Sequence, residues 1–240
     1  MSSNKIISVE FLVDYICKQR QPLVIGIAGG VAVGKTTFAK QLSELFIASS
    51  ITAQVVSTDN FLKSNSELEQ ENLIEVKGWP ETYHLDRLLT LITDFKFCNK
   101  QEYTIPFYCH KRYDLLDNNY LHFTQTSVLI IEGVVALNSK IAPAIDYGIY
   151  LDADNQSARA WFQSRCLGLI KQSIGDPTSF YHKWSAWDEE KVIPVLHKCW
   201  DEVNLKNLQQ NILATKEVAD LIIAKDASHN LIVFEDKRHA

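Results

Sequence analysis

The sequence predicts an α/β fold of three layers, a mainly parallel sheet flanked by helices, and three observations lead there. Short apolar runs alternate with longer helical patterns along the 240 residues, the arrangement that crossover helices between parallel strands produce. The runs are β-branched and short enough for strands buried in a core sheet. A glycine-rich loop of fixed spacing joins the first run to the first long helical pattern.

A short helix is expected over 8–19. Leu23-Val24-Ile25-Gly26-Ile27-Ala28 reads as the first buried strand, and 36–47 as the helix after it, with Phe38, Leu42, Leu45 and Phe46 on one face. Ala53-Gln54-Val55-Val56-Ser57 is a second strand and Val128-Leu129-Ile130-Ile131 a third, with further strands at 149–151 and 221–223. Helices are expected at 84–95, 155–171 and 188–207. Residues 60–80 lack periodicity and read as a loop, either a mobile cover over a site or a plain surface connection. No repeat, low-complexity stretch or Pro/Gly-rich linker divides the chain. With 46% hydrophobic residues, a single domain over 1–240 is expected.

Gly29-Gly30-Val31-Ala32-Val33-Gly34-Lys35-Thr36 matches G-x-x-x-x-G-K-[ST] between a predicted strand and a predicted helix, the context of a P-loop NTPase-type fold. Gly29 and Gly34 let the backbone curl so that consecutive N–H groups face phosphates, and the helix N-terminus adds partial positive charge. Gly30, Val31, Ala32, Val33 and Thr37 complete the nucleotide-binding set. Lys35 is placed to reach the β- and γ-phosphates of ATP, and Thr36 to offer its hydroxyl to Mg²⁺. Two carboxylates follow strands, Asp59 after Val55-Val56-Ser57-Thr58 and Glu132 after Val128 to Ile131. Ligands of open α/β sheets sit at such strand ends. Transfer to an alcohol needs a carboxylate that orients the hydroxyl and takes its proton, a role that suits Asp59, and an acidic group at the metal, which suits Glu132. Each carboxylate alone is equally readable as a helix cap or turn ligand.

Charge and cysteine usage bound the partners. The net charge of -5, with no Lys/Arg-rich block, lacks the electrostatic footprint of a nucleic-acid binder. Five scattered cysteines without a C-x-x-C pair fit reduced thiols, most of them core filler, better than disulfides or zinc. Glu10 and Asp14 interrupt the N-terminal apolar residues and no apolar run approaches the length of a membrane span, so neither a signal peptide nor membrane association is expected. The expectation is a cytoplasmic protein whose partner is a small molecule. A GTPase switch would carry N-K-x-D and D-x-x-G; Asn99-Lys100 is followed by Gln101-Glu102, and D-x-x-G does not occur.

Beyond the P-loop, Ser57-Thr58-Asp59-Asn60-Phe61-Leu62, Lys77-Gly78-Trp79-Pro80-Glu81-Thr82-Tyr83 and Pro106-Phe107-Tyr108-Cys109-His110 with Tyr113-Asp114 follow in order. Ile131-Glu132-Gly133, Trp161 with Arg165, and Asn204-Leu205-Lys206-Asn207-Leu208 complete the series. In these motifs, across roughly residues 24–231, the chain resembles the bacterial type I pantothenate kinases, members of the phosphoribulokinase/uridine kinase-like group. The resemblance implies ATP-dependent phosphorylation of pantothenate to 4'-phosphopantothenate, the first step of coenzyme A biosynthesis. It implies that Asp59 faces the acceptor hydroxyl and that Arg165 steadies the transferring phosphate. Tyr108, His110, Tyr113, Phe162, Tyr181 and Asn204 then fall at acceptor-binding positions, and Lys225 and His229 near the adenine. It also raises coenzyme A as an inhibitor and a homodimer as the assembly.

Read without the resemblance, His110 is more often a satisfied buried histidine and Asn204 a solvated helix residue, and Arg165 can be a cation stacked on Trp161 four residues earlier. The chain also departs from the family. About twenty residues precede the first strand where a longer extension is usual. Phe162 stands in place of a pocket tyrosine, Cys166 and Leu169 in place of phenylalanines, and Lys40 in place of an arginine in the P-loop helix, where a lysine cannot reproduce bidentate phosphate contacts. Two other readings therefore stand beside pantothenate: a related kinase of uridine, glycerate or ribulose phosphate, and a non-catalytic nucleotide sensor, against which the presence of Asp59 and Arg165 argues.

Overall fold

The computed structural model describes residues 9–19 and 21–238. In chain order the main elements are α1 (Val9–Cys17), β1 (Leu23–Gly29), α2 (Lys35–Ala48), β2 (Ala53–Ser57), α3 (Asn65–Gln70), α4 (Leu85–Lys96), β3 (Glu102–Cys109), β4 (Asp114–Thr124), β5 (Val128–Glu132), β6 (Tyr147–Ala153), α5 (Asn155–Gln172) and α6 (Glu189–Cys199). Next come the short helices α7 (Leu205–Asn207) and α8 (Thr215–Val218), then β7 (Leu221–Lys225) and β8 (Leu231–Asp236). Six strands form one sheet in the order β2-β5-β1-β6-β7-β8. All neighbours are parallel except β8, which returns antiparallel to β7.

Alternate residues of the central strands feed two cores. Ile25 and Ile27 of β1, with Val128, Ile130, Ile149 and Leu151, pack under α1, α2 and α5. Val24 and Ala28, with Leu129, Ile131 and Tyr150, face α4 and the β3–β4 hairpin. Burial on both faces explains why β1 and β5 read as continuous apolar runs. Helix α2 presents Phe38, Leu42 and Phe46 to the first core, four residues apart and at most 2% exposed, each contributing about 1.5–3 kcal/mol of burial. Leu45 packs at its edge.

The expected strands and the helices at 36–47, 84–95 and 155–171 are present to within two residues at each end, and the expected 8–19 helix is found as α1, Ser8 lying outside the described residues. Three regions differ. The segment 60–80 is not a structureless loop: it holds 3-10 turns and α3, whose start is fixed by a capping box in which the Ser64 hydroxyl accepts from Glu67 N and the Glu67 carboxylate accepts from Ser64 N. The 188–207 helix is α-helical to Cys199 and again at Leu205–Asn207, and continues through Ile212 with π turns at Trp200–Asn204 and Leu208–Ile212. The β3–β4 hairpin and β8 are not among the expected elements, the hairpin because Pro106 and the polar run Asp117-Asn118-Asn119 break its alternation. The four cysteines described are free, but Cys166 alone among them is buried, so the expectation of core filler fails for Cys98, Cys109 and Cys199.

Gly133, directly after β5, has φ +150, and a Cβ there would lie 1.7 Å from Thr58 Oγ1. Thr58 is fully buried, so no room exists for it to yield. Gly133→Ala is expected to lower stability by about 2 kcal/mol or more, as overpacking at a backbone position that disfavours side chains. The urea midpoint of the purified variant checks this; an unchanged midpoint would show that Thr58 relaxes freely.

Candidate active site

The loop between β1 and α2 wraps around its own lysine. Lys35 is 9% exposed, and its Nζ donates to Gly29 O (3.1 Å) and Gly30 O (2.7 Å). Gly34, at the start of α2, is left-handed with φ +86, and Ala32 also has positive φ, 65. Such reversals of sign turn successive N–H groups toward one concavity, an anion nest at a helix N-terminus. Burial lowers the Lys35 pKa, opposed by the charges of Glu132 and Asp59 and reinforced by Arg165. Four charged groups from four separate segments therefore act on one another here.

Sheet order brings them together, because β5 lies between β1 and β2 and the ends of all three strands are adjacent. Glu132 closes β5, is 3% exposed and accepts from Thr36 Oγ1 at 3.0 Å. Burial raises its pKa, while Lys35 and hydrogen bonds from Thr36 and Ser57 pull it back. Asp59 sits on the 3-10 turn Thr58–Phe61 after β2, its N–H donating to Ser57 Oγ at 3.3 Å. Its Oδ1 accepts from the buried Tyr83 hydroxyl at 3.4 Å, and its Oδ2 lies 3.8 Å from His110 Nε2. His110 Nδ1 is 3.4 Å from Arg165 Nη2. Although half of its side chain is open to solvent, burial of the ring lowers the His110 pKa, with Asp59 opposing and Arg165 reinforcing. His110 is thus not the satisfied core residue that its surroundings allowed.

Arg165 comes from α5, which begins at the Asp154 cap, where the carboxylate accepts from Ser157 N at 2.9 Å. The Trp161 ring is occupied by His229, stacked at 4.1 Å, and its Nε1 donates to Ala227 O. Arg165 therefore reaches His110 rather than stacking on Trp161. Just before the turn that holds Ala227 and His229, the end of β7 places Lys225 against the P-loop, donating from Nζ to Val33 O at 3.2 Å.

An aromatic wall continues from His110. Tyr108 meets the His110 ring edge-on at 5.3 Å, Tyr113 stacks on Phe180 at 4.4 Å, and Phe180 packs edge-on against Tyr181. Burial pushes the hydroxyls of Tyr108 and Tyr113 well above the usual tyrosine range and Tyr181 up to about 12, so all three remain neutral donors. Phe162 and Cys166, one turn apart on α5, pack with Val192 and Leu196 of α6, and Phe162 also lies 5.6 Å from Trp200. Asn204, at the end of the first π turn, has a buried amide Nδ2 without a partner. It lines a cavity of about 40 Å³ with Gly30, Val31 and Trp200, on the P-loop flank and not in the aromatic wall. A larger cleft of about 380 Å³ lies between α4 and the hairpin and meets the neighbourhood of Asp59 at Asn60, Phe61 and Leu62.

Three further residues belong to the site although sequence reasoning does not single them out. Asn60 accepts from Tyr108 N at 2.9 Å, Tyr83 contacts Asp59, and Lys77 is buried between aromatic rings. All three lie in motifs carrying the family resemblance, which is their only sequence signal.

Comparisons with known proteins agree with this geometry. The family model described as Phosphoribulokinase / Uridine kinase family matches residues 24–165. The pantothenate kinase of Agrobacterium fabrum (strain C58 / ATCC 33970) is 38% identical over 223 residues, covering 88% of this chain and 69% of that protein. The pantothenate kinase of Lactiplantibacillus plantarum is 37% identical over 219 residues, covering 88% and 71%. The chain belongs to the pantothenate kinase family. Among solved structures, D-glycerate 3-kinase from Cryptococcus neoformans var. grubii has a TM-score of 0.65 at 13% identity, covering 95% of this chain and 98% of that one. Phosphoribulokinase from Rhodobacter spheroides gives 0.54 at 12%, covering 87% and 71%. At such identities the two structures speak for the fold alone, which this pantothenate kinase family member shares with other small-molecule kinases.

Among the described residues no group of three or more His, Cys, Asp and Glu side chains could hold a metal, and no helix is long and apolar enough to cross a membrane. Thr36 and Glu132 nevertheless offer two oxygen donors 3.0 Å apart beside the phosphate nest. That suits Mg²⁺, which is commonly held by one or two protein oxygens together with substrate phosphates.

Proposed function

We propose that the protein transfers the γ-phosphate of ATP to the primary hydroxyl of pantothenate. The observation that carries this reading is the convergence of Lys35, Glu132, Asp59 and Arg165 at adjacent strand ends, in a chain more than a third identical to curated pantothenate kinases. The P-loop N–H groups from Gly29 to Thr37 and the Lys35 ammonium bind the phosphates, and Lys225, His229 and Trp161 flank the base. Thr36 and Glu132 would hold Mg²⁺, which would supply charge neutralisation to the transferring phosphate. Asp59 accepts the hydroxyl proton as the new O–P bond forms and the bond to the β-phosphate oxygen breaks. Tyr83 donates to Oδ1 of that carboxylate, and His110 lies beside its Oδ2. Lys35 and Arg165 face the equatorial oxygens, where charge is spread in the transition state. Tyr108, His110, Tyr113 and Tyr181 of the aromatic wall hold the amides and carboxylate of the acceptor, and Asn204 meets it from the P-loop flank. The unpartnered Asn204 amide is a donor that a polar ligand would satisfy.

The test is a comparison of kcat/KM for pantothenate, uridine and glycerate with MgATP and the purified protein. Pantothenate should lead by orders of magnitude; a faster uridine or glycerate reaction would leave only the kinase. Phe162 cannot make the hydrogen bond a tyrosine would, and one neutral bond contributes about 0.5–1.5 kcal/mol. Phe162→Tyr is therefore expected to lower KM for pantothenate by roughly threefold to tenfold with kcat little changed, measured by steady-state kinetics. An unchanged KM would place that position outside the acceptor contacts.

The same reading takes residues 1–240 as one cytoplasmic kinase domain that assembles as a homodimer, which light scattering on the purified protein decides. It also takes coenzyme A as a weak inhibitor, because Cys166 and Leu169 enlarge the pocket and Lys40 lacks an arginine's paired donors.

A further inference from the structure

Three consecutive residues that the reaction leaves unused, Lys77, Gly78 and Trp79, tie together separate walls of the acceptor site. Lys77 is only 7% exposed. Its Nζ donates to Asn65 Oδ1 at 2.5 Å, at the start of α3, and to Tyr113 O at 2.7 Å, in the turn between β3 and β4. The same ammonium lies 4.5 Å from the Tyr113 ring centroid and 5.1 Å from that of Tyr108. Gly78 O accepts from Asn207 Nδ2 at 2.8 Å, and Trp79 Nε1 donates to Val203 O at 3.3 Å, in the π turn that ends at Asn204.

A buried ammonium is costly unless it is well paired. Here it is held by two neutral oxygens and two aromatic faces, with Asp114 and Asp59 acting on it electrostatically. A fold that needed only a tie could use a neutral donor. What the charge adds is a grip on ring faces, which attract a cation within about 6 Å of the centroid. Tyr113 also needs holding for another reason: its φ is +55, a conformation that bulky residues rarely adopt, and its carbonyl is the one that Lys77 binds.

We infer that Lys77 is a positioning residue of the acceptor site, which grips the strained Tyr113 backbone and the faces of Tyr108 and Tyr113 so that their hydroxyls meet a polar, anionic acceptor. The inference rests on the pantothenate reading of that pocket. It assigns Lys77 an effect on acceptor binding and none on ATP binding.

Lys77→Met keeps the length of the side chain and removes both charge and donors. With the complete chain and MgATP, KM for pantothenate should rise about tenfold or more, while kcat and KM for ATP stay within about threefold. Damage to the fold alone would move all three together.

A second readout comes from pH. Burial lowers the Lys77 pKa to about 8, so the ammonium is mostly present at about pH 7 and mostly lost at about pH 9. The neighbouring Tyr108 and Tyr113 are shifted upward and His110 downward by their own burial. Lys35 is lowered as well, but its titration falls on ATP. KM for pantothenate in the wild type should therefore rise several-fold over that interval, and the rise should be absent from Lys77→Met. If the variant does not fold, the wild-type series decides alone, and a flat KM for pantothenate overturns the inference. A folded Lys77→Met with wild-type KM for pantothenate overturns it while leaving the acceptor reading intact. A wild type that ignores pantothenate at every pH overturns both.

Discussion

Lys35→Ala should lower phosphoryl transfer by about 10²–10³-fold or more, the scale on which single donors to a developing charge are lost, while the protein stays folded. The two halves of this result have different causes. Turnover falls because the ammonium is the cation inside the P-loop nest, buried with Glu132 and Asp59 as its counter-charges. The fold survives because Lys35 contributes only two hydrogen bonds to carbonyls of its own loop, and burying its charge already works against the folded state. Steady-state rates together with a urea melt of the same sample check both halves. Full turnover by folded Lys35→Ala would remove the P-loop from the mechanism.

The second large effect is expected at Asp59. Asp59→Asn should cut kcat by about 10²-fold or more, the usual scale for losing a general base, with KM for ATP little changed. The amide is nearly the same size and can still contact Tyr83 and His110, so the loss reports proton acceptance and not packing. A kcat within a few-fold of wild type would pass the role to another group. Glu132 is then next, since burial raises the pKa of its carboxylate.

Much of this site is legible in the amino-acid sequence. Gly29 to Thr36 announce strand, loop and helix together, because the phosphate nest demands glycine, lysine and hydroxyl at fixed offsets. Asp59 and Glu132 are legible as strand-end carboxylates, but their meeting is not. It depends on β5 inserting between β1 and β2, and chain order does not encode which parallel strands pair. The hairpin escapes a reading by pattern because Pro106 and Asn118, at φ 57, interrupt the period of two on which strand recognition relies.

The segment 60–80 reads as a loop for a different reason. Its helix spans only Asn65–Gln70, too short for a periodic signal, although Ser64 and Glu67 spell the capping box that starts it. Lys77 and Tyr83 carry no sequence signal beyond the motif shared with the family. Their importance lies in burial and in contacts with Tyr113 and Asp59 that are remote along the chain.

Transfer from ATP to the primary hydroxyl of pantothenate can be watched by phosphorus NMR of the wild-type protein with MgATP and pantothenate. The γ-phosphate signal should disappear while one phosphomonoester signal grows, split by the two protons of the adjacent CH₂ group. Inorganic phosphate growing beside ADP with no phosphomonoester signal, or an ATP spectrum that does not change while pantothenate is present, would refute the transfer.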